Sequence, residues 1–384
     1  MARRVRQPRS RTSRRPNCAG VRLVLVVGMF VGVVAVGGAW WQQREPIDTA
    51  HPESRRLGAP RAPPSTVSRR GSRGEPLRGP TGLRLLVADA PAPFVLDVYR
   101  GTIRRITGLP ADGERGVAIA PVGRHALVLS QRLCAGCPPL SNLYLVRHDS
   151  TVATPLGSAS QAVPSRNGDS VWILRRRDPR QCAIARIGLD GRRRLRARQV
   201  SCRTGLVAEL PAGLLIENSG TRGRDAHNAL LAPGGRVIRL PYQQARPLVG
   251  NLVLIGAYPR APLLLRDVRS GAVLRLCWPS RSGYGLGEAT GAPNRRLALV
   301  EFAKYSPEHR LDMWLLDAVS RRWRHLPGMP AKLIPKATDV KWTADGAVVV
   351  LSGGLLAVWR PGEPRLATHR VPPPRQPGSQ FLIW

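Results

Sequence analysis

Asp339-Val340-Lys341-Trp342 runs through Thr343-Ala344-Asp345-Gly346 into Ala347-Val348-Val349-Val350-Leu351, and Leu355-Leu356-Ala357-Val358-Trp359 runs through Arg360-Pro361-Gly362-Glu363 into Arg365-Leu366-Ala367-Thr368-His369. Asp-Gly and Pro-Gly supply the positive-φ and fixed-φ positions that tight turns need, and the flanking runs are β-branched or alternating, so residues 337 to 371 predict four short strands joined by three turns. A four-stranded meander cannot bury both of its faces. It needs neighbours on either side.

The same pattern recurs upstream. One kind of hairpin joins a short strand to an apolar one through a Pro, Gly or Asn turn: Ala120-Pro121-Val122-Gly123 before ALVLS, Ser165-Arg166-Asn167-Gly168 before SVWIL, Leu210-Pro211-Ala212-Gly213 before LLIEN. Leu248-Val249-Gly250-Asn251 before LVLIG and Ala292-Pro293-Asn294-Arg295 before RLALVEF continue it. A second kind joins FVLDVYR to TIRRITG, NLYLVRH to VATPLG, AIARIGL to RRLRARQV, and so on to LLAVW and RLATHR. The apolar strands begin near Leu83, Ala126, Ser170, Leu214, Leu252, Arg296 and Ala347, at spacings of 43, 44, 44, 38, 44 and 51 residues. That is the period of one propeller blade, roughly 40 to 45 residues. The regular spacing favours a ring over a β-sandwich or two smaller β domains. The first repeat lacks a leading strand, and the chain ends with a spare one, Gln380-Phe381-Leu382-Ile383-Trp384. Pairing that tail with Leu83 to Ala88 closes the ring and removes its free edges.

The turns Thr343-Ala344-Asp345-Gly346 before AVVVL and Ala292-Pro293-Asn294-Arg295-Arg296 before LALVEF resemble the Ser-Pro-Asp-Gly-type turn of TolB-like, WD40-like bacterial β-propeller repeats, and DMWLLDA resembles the strand that follows it there. Only Asp345-Gly346 keeps the Asp-Gly pair among these turns. The resemblance covers residues 82 to 384 and implies an interaction platform, with a gating domain of a hydrolase as the other role found in such proteins.

The N-terminal part reads differently. Residues 1 to 22 carry eight Arg and no acid, and Leu23 to Trp41 (LVLVVGMFVGVVAVGGAWW) is 19 residues without a charge. As a helix that run spans roughly 28 Å, close to the hydrocarbon thickness of a bilayer. The sequence therefore predicts a basic cytoplasmic tail over 1–22 and a single transmembrane helix over 23–41 with Trp40-Trp41 at the far interface. Secretion after cleavage at Gly37-Gly38-Ala39 is the competing reading, but the apolar run is longer than the roughly 7 to 15 residues of a signal peptide. Residues 42 to 81 are rich in Pro, Gly, Ser and Arg without apolar periodicity and predict a disordered linker, leaving 82 to 384 as the propeller domain.

Composition constrains the chemistry. With 43% apolar residues the chain can build a substantial core, and 60 Lys+Arg against 24 Asp+Glu give a net charge of +36. That field attracts polyanions and anionic surfaces. Arg175, Arg176, Arg177, Arg180, Arg192, Arg193, Arg194, Arg196 and Arg198 fall in the third repeat, and strand alternation in Arg194-Leu195-Arg196-Ala197-Arg198 sets three guanidinium groups on one face. Arg192, Arg194, Arg196 and Arg198 are thus the candidate anion-binding residues, against the alternative of a solvated outer edge. Few aromatics interleave with them, which disfavours nucleic acid.

Cys182 precedes AIARIGL and Cys202 follows RRLRARQV, so a hairpin turning at Asp190-Gly191 brings them opposite each other and predicts a disulfide. Cys134-Ala135-Gly136-Cys137 reads as a short structural disulfide between Cys134 and Cys137 rather than a redox pair, which would want a helix N-terminus, or a zinc site, which would want a second ligand pair. Cys277, in LRLCW, reads as a buried apolar residue. The chain has no HExxH, no Gly-x-Ser-x-Gly elbow and no phosphate loop, so no catalytic residue, metal ligand or cofactor is indicated. The expectation is an all-β, seven-bladed propeller anchored in a membrane with its domain outside the cytoplasm. It would act as a non-catalytic platform for an envelope protein or anionic polymer, and the alternative is a hydrolase or lyase with its site in the central channel. Three or more convergent charged side chains around that channel would favour the enzyme.

Overall fold

In the stretch that opened the sequence reading, strands form at Thr338–Trp342, Val348–Ser352, Leu355–Trp359 and Ala367–Arg370, with Gly346 at φ 85° and Gly362 at φ 100° in the turns. The fourth strand starts two residues later than the alternation of Arg365-Leu366 suggested. In a computed structural model the described residues are 75–76, 82–89, 92–110, 115–132, 141–176, 180–218, 227–240, 245–256, 262–279, 284–293, 296–304, 310–329, 338–372 and 380–384. All regular elements among them are strands.

These strands form seven sheets, one per repeat, whose neighbours are antiparallel except for one rim strand of the last blade. Blade 1 runs from the innermost strand outward as Phe381–Ile383, Arg84–Val87, Phe94–Asp97 and Thr102–Arg105. Blades 2 to 7 have inner strands Arg115–Val122, Gln161–Pro164, Thr204–Leu210, Ala245–Pro247, Gly285–Gly291 and Thr338–Trp342. Each inner strand contacts the inner strand of the next blade, and the strand of blade 7 contacts that of blade 1, so the circle is complete. The C-terminal strand does the closing: Leu85 pairs with Ile383, Leu86 with Leu382 and Val87 with Phe381. The fold is an all-β, seven-bladed propeller.

Period-2 alternation along each strand sends side chains into the seams on either side of its blade, and seven apolar clusters result. The seam between blades 7 and 1 holds Phe381, Leu85, Leu96, Val349 and Leu356; the seam between blades 6 and 7 holds Leu299, Met313, Val350 and Trp359. A recurrent turn joins the third and fourth strands in three blades. Asp97 and Gly101 (φ 66°), Asp267 and Gly271 (φ 77°), and Asp317 and Arg321 (φ 61°) occupy equivalent places, the Asp side chain accepting backbone N–H bonds from the residues that follow it. Blade 6 puts Arg321 where the other two have glycine.

Blade 7 carries a fifth strand. Glu75–Pro76, inside the segment expected to be a linker, pairs in parallel with Ala367 and Thr368 on the outer edge. Residues 1–22 and 23–41, expected as a tail and a membrane helix, lie outside the described residues, and among the described residues no helix is long and apolar enough to cross a membrane.

Candidate functional site

The starts of the inner strands surround one end of the central channel, and two blades share a device there. In blade 4 the second strand, Gly213–Asn218, is apolar until Glu217, which faces Gly205 of the inner strand. In blade 6 the second strand, Leu297–Lys304, is interrupted by Glu301, beside Gly287 of the inner strand. A Cβ on Gly205 would come within 2.8 Å of the Glu217 side chain, and one on Gly287 within 3.1 Å of the Glu301 Cβ. Each glycine therefore leaves room for a carboxylate. The register of both inner strands shifts here, between Leu206 and Ala208 just past Gly205 and between Leu286 and Ala289 around Gly287 itself. Such bulges re-aim side chains at the inner ends of sheets.

The blade 6 bulge turns Glu288 outward, where Arg246 of blade 5 meets it: Nη2 lies 3.2 Å from Glu288 Oε1, and Nε donates to the Gly287 carbonyl at 2.9 Å. Blade 7 adds Asp339 and Lys341. The Lys341 ammonium donates to Asp339 Oδ1 at 2.6 Å, and Asp339 Oδ2 accepts the backbone N–H of Phe381 at 2.9 Å. Glu217, Arg246, Glu288, Glu301, Asp339 and Lys341 form a continuous charged arc over blades 4 to 7, linked by the ion pairs and by the fields acting on Glu217 and Glu301.

Four carboxyls face two cations in this arc, in a chain with 60 Lys+Arg against 24 Asp+Glu. Two of the carboxyls titrate above their ordinary range, chiefly because they are buried. Burial raises the Glu217 carboxyl above its ordinary range, with Glu288 adding to the rise and Arg246 opposing it. Burial also pushes Glu301 up to about 8, reinforced by Glu288 and Asp339 and opposed by Lys341 and by the Glu288 backbone N–H. Glu301 thus holds a proton at neutral pH, and it is partly buried. Next to it, Glu288 is mostly exposed. The arc pairs a proton donor with carboxylates and cations able to bind a polar ligand.

The residues singled out in the sequence lie elsewhere. Cys182 and Cys202 are joined in a disulfide at the open end of the blade 3 hairpin, with Cα atoms 4.9 Å apart. Cys134 and Cys137 lie outside the described residues. Cys277 corrects the expectation of a buried thiol: it is exposed and disulfide-bonded, because it falls just past the end of the outer strand of blade 5 at Val273–Leu276. The arginine run also departs from its expected geometry. The outer strand of blade 3 is only Arg198–Val200, so Arg194, Arg196 and Arg198 do not share a strand face. Backbone groups near the Asp190 turn hold the preceding residues instead, Arg194 N–H bonding the Arg186 carbonyl. Arg192, Arg194 and Arg196 are exposed, Arg194 pairs with Asp190 at 3.5 Å, and the Arg198 guanidinium bonds the Gly235 carbonyl of blade 4. Among the described residues no group of three or more His, Cys, Asp or Glu is arranged to hold a metal ion. A separate recess of about 370 Å³ opens at the blade 7 to blade 1 seam beside the Thr343 turn, lined by Ala347, Val349, Val358 and Ile383.

No family model and no curated protein sequence matches the chain. Solved structures do resemble it. TolB from Acinetobacter baumannii is one of them. It has a TM-score of 0.40 at 14% identity, over 64% of each chain. A protein from Lactobacillus plantarum has a TM-score of 0.49 at 12% identity, over 78% of this chain and 99% of that one. A puromycin-hydrolyzing peptidase from Mycobacterium tuberculosis has a TM-score of 0.46 at 14% identity, over 74% of this chain, which spans only 50% of the peptidase. At such likeness no activity carries over to this chain.

Proposed function

We propose that the protein is an envelope-facing binding propeller whose site is the charged arc at the channel mouth, displayed outside the cytoplasm on a single-pass anchor formed by residues 23–41. The convergence of Glu217, Arg246, Glu288, Glu301, Asp339 and Lys341 from four consecutive blades carries this reading, since no strand-forming or packing need calls for charge there. The Cys182–Cys202 disulfide and the bonded Cys277 suit an oxidising compartment. The test is affinity capture from the protein's own cell envelope with the full chain in detergent. A partner retained by the wild type and by an Arg192→Ala/Arg194→Ala/Arg196→Ala variant, but lost with Glu217→Gln/Glu288→Gln, supports the arc. Loss with the arginine variant alone moves binding to the basic edge of blade 3, and equal capture by all three proteins refutes the arc.

The same convergence of charged side chains on the channel meets the criterion for a second reading, a channel hydrolase or lyase, and Glu301, which keeps its proton at neutral pH near Glu288 and Asp339, supplies the group that general acid–base chemistry uses. Turnover of a hydrolysable substrate that declines as pH rises through about 8, and is abolished in a folded Glu301→Gln variant, would establish it.

A further inference from the structure

The inner strands begin at the arc and each blade's third strand runs the same way, so the turns between third and fourth strands gather at the opposite mouth of the channel. These turns carry the exposed apolar side chains. Among the described residues, the large hydrophobic side chains that stand in solvent are Tyr99, Ile103, Val152, Leu195, Val237 and Val319. Every one lies between the third and fourth strands of a blade or in the first two residues of the fourth. Arginine stands beside them: Tyr99-Arg100 in blade 1, Leu195-Arg196 in blade 3, Arg236-Val237 in blade 4, and Val319 with Arg322 in blade 6. These four arginines are exposed, and none makes an ion pair among the described residues. Most acids of the same turns are already engaged. Asp97, Asp190, Asp267 and Asp317 accept backbone N–H groups of their own turns, and Glu363 meets Arg360 at 3.8 Å, which leaves Asp149 of blade 2.

We propose that the propeller lies with this mouth against an anionic lipid surface, Tyr99, Leu195, Val237 and Val319 entering the headgroup boundary and the neighbouring arginines binding lipid phosphates. Two blander accounts cover only half of the pattern. Charge alone keeps a sheet edge from pairing with another chain and needs no exposed Val or Leu next to it. A soluble anionic polymer satisfies the guanidinium groups but offers Leu195 and Val319 nothing to enter. A bilayer supplies both, phosphate for the guanidinium fork and an acyl boundary for the apolar side chains. Because the turns belong to a ring and point the same way, several can reach one flat surface together. The arc then faces away from the lipid, open to whatever approaches from outside. The inference is independent of what the arc binds.

The test uses the full chain in vesicles with a nitrobenzoxadiazole label on Val319→Cys, compared with the same label on Pro372→Cys, which is exposed just past the fourth strand of blade 7 at the arc end. In phosphatidylcholine vesicles containing about 30% phosphatidylglycerol, the label at 319 should shift to the blue and be quenched by spin-labelled lipid, and the label at 372 should do neither. Pure phosphatidylcholine, or about 0.5 M salt, should abolish the shift. Arg100→Gln/Arg236→Gln/Arg322→Gln should lower the docked-to-free ratio roughly 100-fold, whereas Arg275→Gln/Arg370→Gln, exposed positions away from these turns, should leave it unchanged. An unshifted label at 319, or quenching at 372 as strong as at 319, overturns the proposal. So does docking of the same strength on pure phosphatidylcholine, or an equal loss per charge in Arg275→Gln/Arg370→Gln, which marks net charge alone. A shift produced by soluble polyphosphate and not by vesicles also overturns it, assigning the surface to a polymer.

Discussion

Removing Gln380 to Trp384 tests the ring more severely than any internal change, because those residues are at once the end of the chain and the inner strand of blade 1. Phe381 is fully buried and Leu382 is 3% exposed. Four backbone amides tie the segment to the rest of the ring, two donating to it and two from it: Ala88 to the Gln380 carbonyl at 2.7 Å, Ile119 to Gln380 Oε1 at 3.1 Å, Phe381 to Asp339 Oδ2 at 2.9 Å and Trp384 to the Arg84 carbonyl at 2.8 Å. Emptying a Phe site costs about 3 to 5 kcal/mol and a Leu site about 2 to 5 kcal/mol, before the exposed edge of Arg84–Val87 is counted. The sum is comparable with the roughly 5 to 15 kcal/mol that holds a whole domain, so the truncated propeller should fail to fold cooperatively. Phe381→Ala is the milder version. It should lower stability by about 3 to 5 kcal/mol, or about 6 to 10 °C in melting temperature for a domain of this size. Thermal denaturation of the full-length chain, the truncation, Phe381→Ala and Val319→Ala gives the comparison; Val319 is 74% exposed and should be neutral. An unchanged melting temperature after truncation would refute ring closure by the C-terminal strand.

Three further predictions follow from separate parts of the molecule. Glu301 has a folded-state titration near 8 against an ordinary 4.5, so the stability it permits is complete below about 4.5 and is lost as pH rises through about 8; the loss reaches up to about 5 kcal/mol, less what channel water screens, and Glu301→Gln should melt higher than wild type at pH 9 and equally at pH 4. Arg321→Gly, which gives blade 6 the glycine that blades 1 and 5 have at φ 66° and 77°, should stabilise by about 1 kcal/mol in urea denaturation. Replacing Cys182 and Cys202 with Ser opens a loop with a sequence separation of 20 and should lower stability by about 3 kcal/mol, measured against the oxidised wild type.

The architecture was legible because its signals are local and repeated. Asp345-Gly346, Pro361-Gly362 and the other turns each specify a hairpin by themselves, and the spacing from Leu83 to Ala347 needs no knowledge of the fold. The arc was not legible in the same way. Glu217 and Glu301 stand in the quoted runs LLIEN and RLALVEF, but one sequence position says nothing about which seam a side chain enters or what it meets from the next blade. The available signal was a carboxylate breaking an apolar second strand at the same end in two repeats, with a glycine beside it on the preceding strand. The arginines of blade 3 misled for the opposite reason. Arg194-Leu195-Arg196-Ala197-Arg198 alternates as a strand does, yet pairing begins only at Arg198, since alternation carries no weight where neither face is buried. Cys277 likewise follows a strand of alternating pattern, and lies one residue beyond the end of pairing.

The parallel pairing of Glu75–Pro76 with Ala367 and Thr368 has a mechanical meaning. The chain joins the propeller at the outer rim of blade 7, while the inner closing strand belongs to blade 1. Tension on the N-terminal side is therefore delivered first to a two-residue contact at the periphery. That contact can break while Arg84–Val87 and the closing strand stay paired, so the rim strand stands between a pull from that side and the ring's closure.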